Sequence, residues 1–304
     1  MDRDAVRAHL QGPISSIKTP FTQSGQVDHD ALHHQVQTLI EHGSRTALLT
    51  AGDSHLLSLV DAELVAVTRT VCSAAEGKAM IVVADRGHTT AHAVEFARFA
   101  HSAGADVVMT LPPHWAAGST PDSLAAHYAA VAKELPTMIV TNIFAQRGTP
   151  FALETIKRTL HNERIVAIKD DLCGDFARRL CLLADGQLAV FAGGRKENHL
   201  NMWPYGCDGY MSTFQAFRPD LAQQYWRAVQ EKDLLAMRTL VRLEMDFFDY
   251  IAQCTGGWNA GLHGVLELAG LGGRWRREPN YSLDDKELAA LSNFLSEKGL
   301  SPAS

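Results

Sequence analysis

The chain has 304 residues, 46% of them hydrophobic and 20% charged, with a formal net charge of −6. This is ordinary globular composition, long enough for two domains or for one α/β barrel with an extension. The acidic balance gives no electrostatic case for nucleic acid or an anionic membrane as partner, and no apolar run approaches the roughly 20 residues that span a bilayer.

The N-terminus, Met1-Asp2-Arg3-Asp4, lacks the apolar core of a secretory signal. Short apolar runs then alternate with amphipathic stretches. A strand is predicted at 14–19 and a helix at 29–42, then a strand at 45–50 and a helix at 61–75. A strand at 79–84 precedes a helix at 90–103, and a strand at 106–110 precedes a helix at 121–134. Strands at 137–142, 165–169, 188–192 and 209–212 complete a set of eight. Near-continuous apolar strands separated by helices indicate a parallel sheet covered by helices. Eight such units fit an α/β fold of the closed (β/α)₈ TIM-barrel type better than an open doubly wound sheet. No GxGxxG follows the first strand, which weakens a dinucleotide-binding reading.

Beyond Ser212 the spacing turns helical, with helices predicted at 219–230, 234–253, 258–271 and 283–295. The first suits the eighth barrel helix. The expected organisation is therefore a barrel over 1–231 that carries the active site, and a C-terminal helical appendage over 232–304 packed on it.

In barrels of this kind chemistry sits where strands end. The ends read Lys18-Thr19-Pro20-Phe21, Thr50-Ala51-Gly52-Asp53-Ser54, Asp85-Arg86-Gly87 and Pro112-Pro113-His114-Trp115. They continue with Thr141-Asn142-Ile143-Phe144, Lys169-Asp170, Gly193-Gly194-Arg195 and Met211-Ser212-Thr213. Lys169 closes the apolar run Ile165-Val166-Ala167-Ile168. An ammonium at the tip of a buried strand must be paired, solvated at a site or partly deprotonated. A neutral lysine amine condenses with carbonyl substrates to give a Schiff base.

Taken in order, these segments resemble the dihydrodipicolinate synthase / N-acetylneuraminate lyase family of class I aldolases. Thr19-Pro20-Phe21 resembles the family's opening Thr-Pro-Phe, and Thr50-Ala51-Gly52-Asp53 its Gly-Thr-Thr-Gly-Glu loop. Ser102-Ala103-Gly104-Ala105-Asp106 is similar to its Ala-Gly-Ala-Asp, and Ile168-Lys169-Asp170 to the segment carrying the Schiff-base lysine. Gly206-Cys207-Asp208-Gly209-Tyr210-Met211-Ser212 resembles its Gly-Ala-x-Gly-x-Ile-Ser strand, and Leu266-Glu267-Leu268-Ala269-Gly270-Leu271 fits its C-terminal part.

The resemblance implies a (β/α)₈ barrel, usually tetrameric, that acts on pyruvate or a related 2-oxo acid with no cofactor and no metal. Lys169 would attack the keto carbon, with Thr50 hydrogen-bonding in the site. Backbone amides around Thr50 and Ala51 would hold the substrate carboxylate, as loop amides do for anions. Asp53, Trp115, Thr141, Asn142, Gly194 and Met211 would complete the substrate-binding wall.

Several positions depart from the family pattern. Its proton-shuttling tyrosine falls at Thr141, its Tyr-Tyr pair at His114-Trp115, and its second loop threonine and glutamate at Ala51 and Asp53. The arginine that recognises the aldehyde substrate falls at Gln146, beside Arg147. These departures argue against dihydrodipicolinate synthesis itself and against authentic sialic-acid lyase activity. A threonine hydroxyl is a poor proton donor, so His114, which titrates near working pH, is the candidate substitute. Asp170 and Asp171 suit the start of the following helix better than acid/base work.

Other constellations are weaker. His88, His92 and Glu95 share a predicted helix face, yet a histidine pair without a confirmed third ligand is a weak metal signal. His33-His34 point apart on a helix. Arg274-Trp275-Arg276-Arg277 reads as a packing or interface segment. The five cysteines, Cys72, Cys173, Cys181, Cys207 and Cys254, are scattered, odd in number and free of Cys-x-x-Cys spacing. That pattern favours reduced thiols in a cytoplasmic protein, and nothing beside Cys173 or Cys181 suggests a nucleophilic dyad.

The expected protein is a Schiff-base-forming lyase, an aldolase or a dehydratase of deoxy sugar acids, working through Lys169 as a homodimer or homotetramer. The competing expectation is a silent binder of keto acids, or a structural protein, that has lost its proton shuttle.

Overall fold

The computed structural model describes residues 1–87, 89–113, 118–141 and 147–303. Eight parallel strands run as β1 (Gly12–Ile14), β2 (Thr46–Leu48), β3 (Met80–Ala84) and β4 (Val107–Thr110). The set continues with β5 (Thr137–Val140), β6 (Ile165–Asp170), β7 (Ala189–Ala192) and β8 (Gly209–Met211). Every strand residue is buried, as expected for a parallel sheet walled by helices. From β2 onward each strand pairs with the next, and β8 returns to β1. The ring closes at its last seam through the Ser16–Leu48 bridge, where the Ile17 amide donates to the Leu48 carbonyl at 2.8 Å. The fold is a (β/α)₈ barrel.

The covering helices are α2 (His29–Glu41), α3 (Asp61–Ala75), α4 (Thr90–Ser102), α5 (Pro121–Ala132), α6 (Thr149–Thr159) and α7 (Gly174–Ala184). The sequence signals at their starts act as helix caps. Asp28 and Thr89 accept from the amides of Ala31 and His92, and Thr120 with Ser123 closes a capping box ahead of Pro121. α8 (Lys196–Met202) completes the seventh unit, and two helices were not foreseen in the sequence: α1 (Arg3–Leu10) and the single turn α9 (Phe214–Phe217). Each is too short for a full amphipathic period to stand out.

Strand boundaries differ from expectation where side chains capture backbone amides. β1 lies ahead of the predicted 14–19 because the Lys18 amide donates to Gln35 Oε1 at 2.7 Å, which takes it out of the ladder. β2 stops before Thr50, whose amide donates to Ser54 Oγ at 2.9 Å.

After β8 follow α10 (Pro219–Glu231), α11 (Leu234–Ala252), α12 (Gly257–Leu268) and α13 (Asp285–Glu297). They pack on the barrel through an aromatic cluster of Phe214, Phe217 and Phe247, and through one buried ion pair. Lys196 Nζ on α8 donates to Glu244 Oε1 on α11 at 2.7 Å, with side-chain exposures of 0% and 2%. The basic run near the C-terminus works as a strap. Arg277 makes a two-pronged contact with Glu63 at 2.7 and 2.8 Å, donates to the Gly25 and Ser58 carbonyls, and lies 4.9 Å over the Phe21 ring. Among the described residues no helix is long and apolar enough to cross a membrane, and all five cysteines are free.

Candidate active site

The C-terminal ends of the strands open on a cavity of about 330 Å³. Lys169 forms part of its floor from β6, in register with Val140 on one side and Phe191 on the other. Its Nζ contacts one carboxylate, Asp171 Oδ1, in a close ion pair. The Lys169 side chain is 5% exposed and that of Asp171 28%, so the pair runs from the barrel floor to the water's edge.

The neighbouring strand makes room for this pair. Gly193 follows β7, and its amide donates to the Asp170 carbonyl at 2.8 Å. A Cβ at Gly193 would overlap Asp171 Oδ1 and come within 2.9 Å of Lys169 Nζ. A bare backbone there is a spatial requirement of the site.

Asp170 and Asp171 have separated roles. Asp170 is fully buried and accepts from Thr141 Oγ1 at 2.5 Å, the Cys173 amide at 2.9 Å and the Leu172 amide at 3.3 Å. It holds the turn that leads into α7, close to the capping role expected for it. Burial outweighs these hydrogen bonds and leaves its carboxyl above the ordinary range. The capping role expected for Asp171 is corrected: its carboxylate turns back to Lys169. The two residues are spaced i, i+2, which puts them on one face of an extended chain.

The loop after β2 builds the opposite wall. Thr50, Ala51, Gly52 and Asp53 all line the cavity. The Thr50 amide is occupied by Ser54, so it is not free to bind an anion as the sequence suggested. Among the described residues the Ala51 and Gly52 amides have no acceptor. Thr50 Oγ1 accepts from the Asp53 amide at 3.1 Å, which leaves its own proton to donate.

Behind this loop, Lys18 Nζ donates to Ser16 Oγ at 2.9 Å, and Ser16 Oγ donates to Asp53 Oδ2 at 3.0 Å. Burial pushes the Lys18 ammonium down, against the pull of Asp53. His55, in a left-handed conformation at φ 54°, is held by His263 of α12 with their Nε2 atoms 2.7 Å apart. Both rings are buried and biased to the neutral form by desolvation first; the nearby Arg276 charge comes second for His55, which is pushed down to about 4, and His55 itself comes second for His263.

Gly194 and Met211 also line the cavity. Thr141 does not. It is fully buried, and its hydroxyl is committed to Asp170, while the preceding Val140 faces the cavity. His114, Trp115, Asn142 and Gln146 lie outside the described residues. Arg147 donates to the Ser119 carbonyl at 3.0 Å and sits 4.1 Å over the Phe151 ring.

Other wall residues were not singled out in the sequence. Arg195 and Thr213 come from the strand ends, while Phe248, Ala252 and Trp258 come from α11 and α12. The Arg195 guanidinium lies 4.6 Å over the Phe248 ring and 3.6 Å from Glu197. The helices beyond residue 231 thus supply part of the wall. His92 and Glu95 line a separate cleft between α3 and α4 with Asp85 and Arg86, while His88 lies outside the described residues. No group of three His, Cys, Asp or Glu side chains among the described residues could hold a metal.

Comparison with known proteins agrees with this architecture. Residues 9–298 match the Dihydrodipicolinate synthetase family. A 4-hydroxy-tetrahydrodipicolinate synthase from Kineococcus radiotolerans is 32% identical over 95% of this chain and 94% of its own length. A probable 5-dehydro-4-deoxyglucarate dehydratase from Streptomyces coelicolor is 25% identical over 73% of this chain and 72% of its own. Among solved structures, a prophage protein of the dihydrodipicolinic acid synthase family from E. coli K12, crystallised with pyruvate, superposes with a TM-score of 0.81. Its identity is 22%, over 95% of this chain and 99% of that one. The chain belongs to the dihydrodipicolinate synthetase family. It is a lyase of that family's type.

Proposed function

We propose that this lyase forms a Schiff base between Lys169 and pyruvate or another 2-oxo acid, then makes or breaks a bond beside the imine carbon. The observation that carries the reading is a buried strand-end lysine on the floor of a cavity whose opposite wall offers two amides, at Ala51 and Gly52, that have no acceptor among the described residues. Those amides suit a carboxylate, and the keto carbon beside it falls to Lys169. The Thr50 hydroxyl donates to the bound acid. Asp53, Gly194 and Met211 shape its surroundings, and Trp115 and Asn142 are assigned to the same wall from their places in the sequence.

Thr141 is retained as a site residue in a supporting sense, through its bond to Asp170. The protonated imine is the electron sink for aldol cleavage, aldol condensation or dehydration of a deoxy sugar acid. His114 is assigned proton transfer at the carbons next to the imine. The pyruvate complex of the E. coli relative and the dehydratase name of the Streptomyces relative support the substrate range. We place the protein in the cytoplasm as a homodimer or homotetramer. We keep the division at residue 231, with the nucleophile on the barrel and the appendage closing the wall.

The test is incubation with pyruvate and related 2-oxo acids, borohydride reduction and intact-mass measurement. The expected result is one adduct per chain, absent in Lys169→Ala. Failure of every 2-oxo acid to add mass, or an equal gain in Lys169→Ala, refutes the reading. An adduct without turnover of any second substrate points to a silent binder. Turnover unchanged in His114→Ala removes that residue from the mechanism.

A further inference from the structure

The geometry points to Asp171 as the acid/base group that carries the protons of imine formation at Lys169, an inference that rests on the Schiff-base reading above. Among the described residues, Asp171 is the carboxylate in contact with Nζ. Asp170 is excluded by its own bonds: both its oxygens are taken by Thr141, Leu172 and Cys173, and it has no exposure. Asp53 lines the same cavity, but its Oδ2 is held by Ser16 Oγ. Among the described residues Asp171 alone combines contact with the reacting nitrogen, a place on the cavity wall and an edge in water. The cut-away backbone at Gly193 fits this use, because it leaves space for the carboxylate beside the nitrogen.

The proton balance closes with this one group. The ammonium of Lys169 gives a proton to the Asp171 carboxylate and becomes a neutral amine. Its lone pair forms the C–N bond to the keto carbon while the carbonyl π pair moves to oxygen. Protonated Asp171 delivers its proton to that oxygen and then removes one from the new ammonium nitrogen. Returned to the hydroxyl, this proton lets water depart as the nitrogen lone pair forms the C=N bond. Three N–H protons at the start become one on the iminium and two in water, and Asp171 ends as a carboxylate. Nothing further is consumed.

A shuttle and a merely electrostatic partner predict opposite signs. A carboxylate against an ammonium stabilises the charged form, so an electrostatic partner restrains the nucleophile. Its removal would then speed imine formation. Removal of a shuttle slows it, by about 10²-fold or more on the usual scale of general acid/base catalysis.

The experiment follows adduct formation with pyruvate under continuous cyanoborohydride by intact mass. It compares wild type, Asp171→Asn and Asp171→Glu from pH 6 to 9. The expected result is an Asp171→Asn rate at neutral pH lowered about 10²-fold, with part of the loss restored in Asp171→Glu. A wild-type or faster rate in Asp171→Asn overturns the assignment and leaves the Schiff-base reading intact. No adduct in the wild type at any pH overturns both. Should Asp171→Asn not fold, Asp171→Ser with and without added formate asks the same question. Acceleration by formate supports the shuttle, and indifference to it refutes the shuttle.

Discussion

Glu244→Gln tests the buried ion pair that joins α8 to α11. The wild-type pair is almost fully buried, and Glu244 does two jobs: Oε1 takes the Lys196 ammonium at 2.7 Å, and Oε2 takes the Lys196 amide at 2.5 Å. Glutamine keeps one oxygen for the amide and removes the countercharge. Breaking a buried pair from one side costs about 3–5 kcal/mol, because a bare charge is left in the interior. Here the ammonium also lies 4.1 Å over the Phe214 ring and 5.9 Å from the rings of Tyr210 and Tyr225. Aromatic faces offset up to about 2 kcal/mol for a desolvated cation, which puts Glu244→Gln near the lower end, about 3 kcal/mol.

Lys196→Met strands the carboxylate, which has no such cushion, and belongs at the upper end of that range. The double variant carries no charge and keeps the amide's acceptor, so it loses about 1 kcal/mol, the net worth of one hydrogen bond. Urea unfolding of the four proteins at one fixed concentration measures the cycle. Single variants that each cost under about 1 kcal/mol, or a double variant equal to the sum of the singles, refute the reasoning. The site should register the change too. Phe248 lies one turn beyond Glu244, and Arg195 over its ring is the chain neighbour of Lys196.

Two further outcomes are expected. Gly193→Ala, at a position with ordinary backbone angles, drives the Asp171 carboxylate off Lys169 Nζ. Because that side chain is 28% exposed and can swing into water, the cost in stability is about 1 kcal/mol, a few degrees in Tm. Adduct formation with pyruvate falls about 10²-fold, as misplacements of about 1 Å do, and an unchanged trapping rate sinks the claim that the pair occupies this space. Asp85→Asn gives a pH-dependent gain. Asp85 is buried, its Oδ2 has no partner among the described residues, and burial raises its carboxyl to about 7 against 3.8 in the unfolded chain, despite amide bonds from Leu111 and Gly87. The folded protein therefore holds a proton that the unfolded chain releases between those values, so stability present below pH 3.8 is lost as pH rises through about 7. Asparagine cannot ionise and keeps an oxygen for both amides. Urea unfolding should show the variant ahead of wild type by on the order of 4 kcal/mol at pH 8 and level with it in acid; a difference independent of pH refutes the cause.

The barrel was legible in the sequence because its signals are local. Apolar runs such as Ile165-Val166-Ala167-Ile168 and cap residues such as Thr120 act within a few positions of themselves. The floor of the site was legible for the same reason, since a lysine closing such a run has few fates. The walls were not. Phe248 and Trp258 reach the cavity from helices whose periodicity says only that one face is buried. His55 and His263 meet across 208 positions, a distance no spacing rule spans. Asp171 is the instructive miss. The helix-start preference of aspartate was applied, whereas the two-residue period of an extended chain already placed it beside Lys169. Thr141 erred in the other direction: its position on the fifth strand was read as a place on the cavity wall, and the structure commits its hydroxyl to Asp170.

The wall supplied by α11 and α12 has a consequence for how the enzyme is made. Chains emerge N-terminus first at about 5–20 residues per second, so all eight strands exist before Glu244, Phe248 or Trp258 has been synthesised. During that interval Lys196 has no carboxylate to pair with, and burying it would leave an isolated cation in the interior. The Lys196 ammonium therefore stays in water until α11 arrives. Lys169 meets its finished cavity only once most of the chain exists, and a protein cut short after the eighth strand has Lys169 without the wall that Phe248 and Trp258 supply.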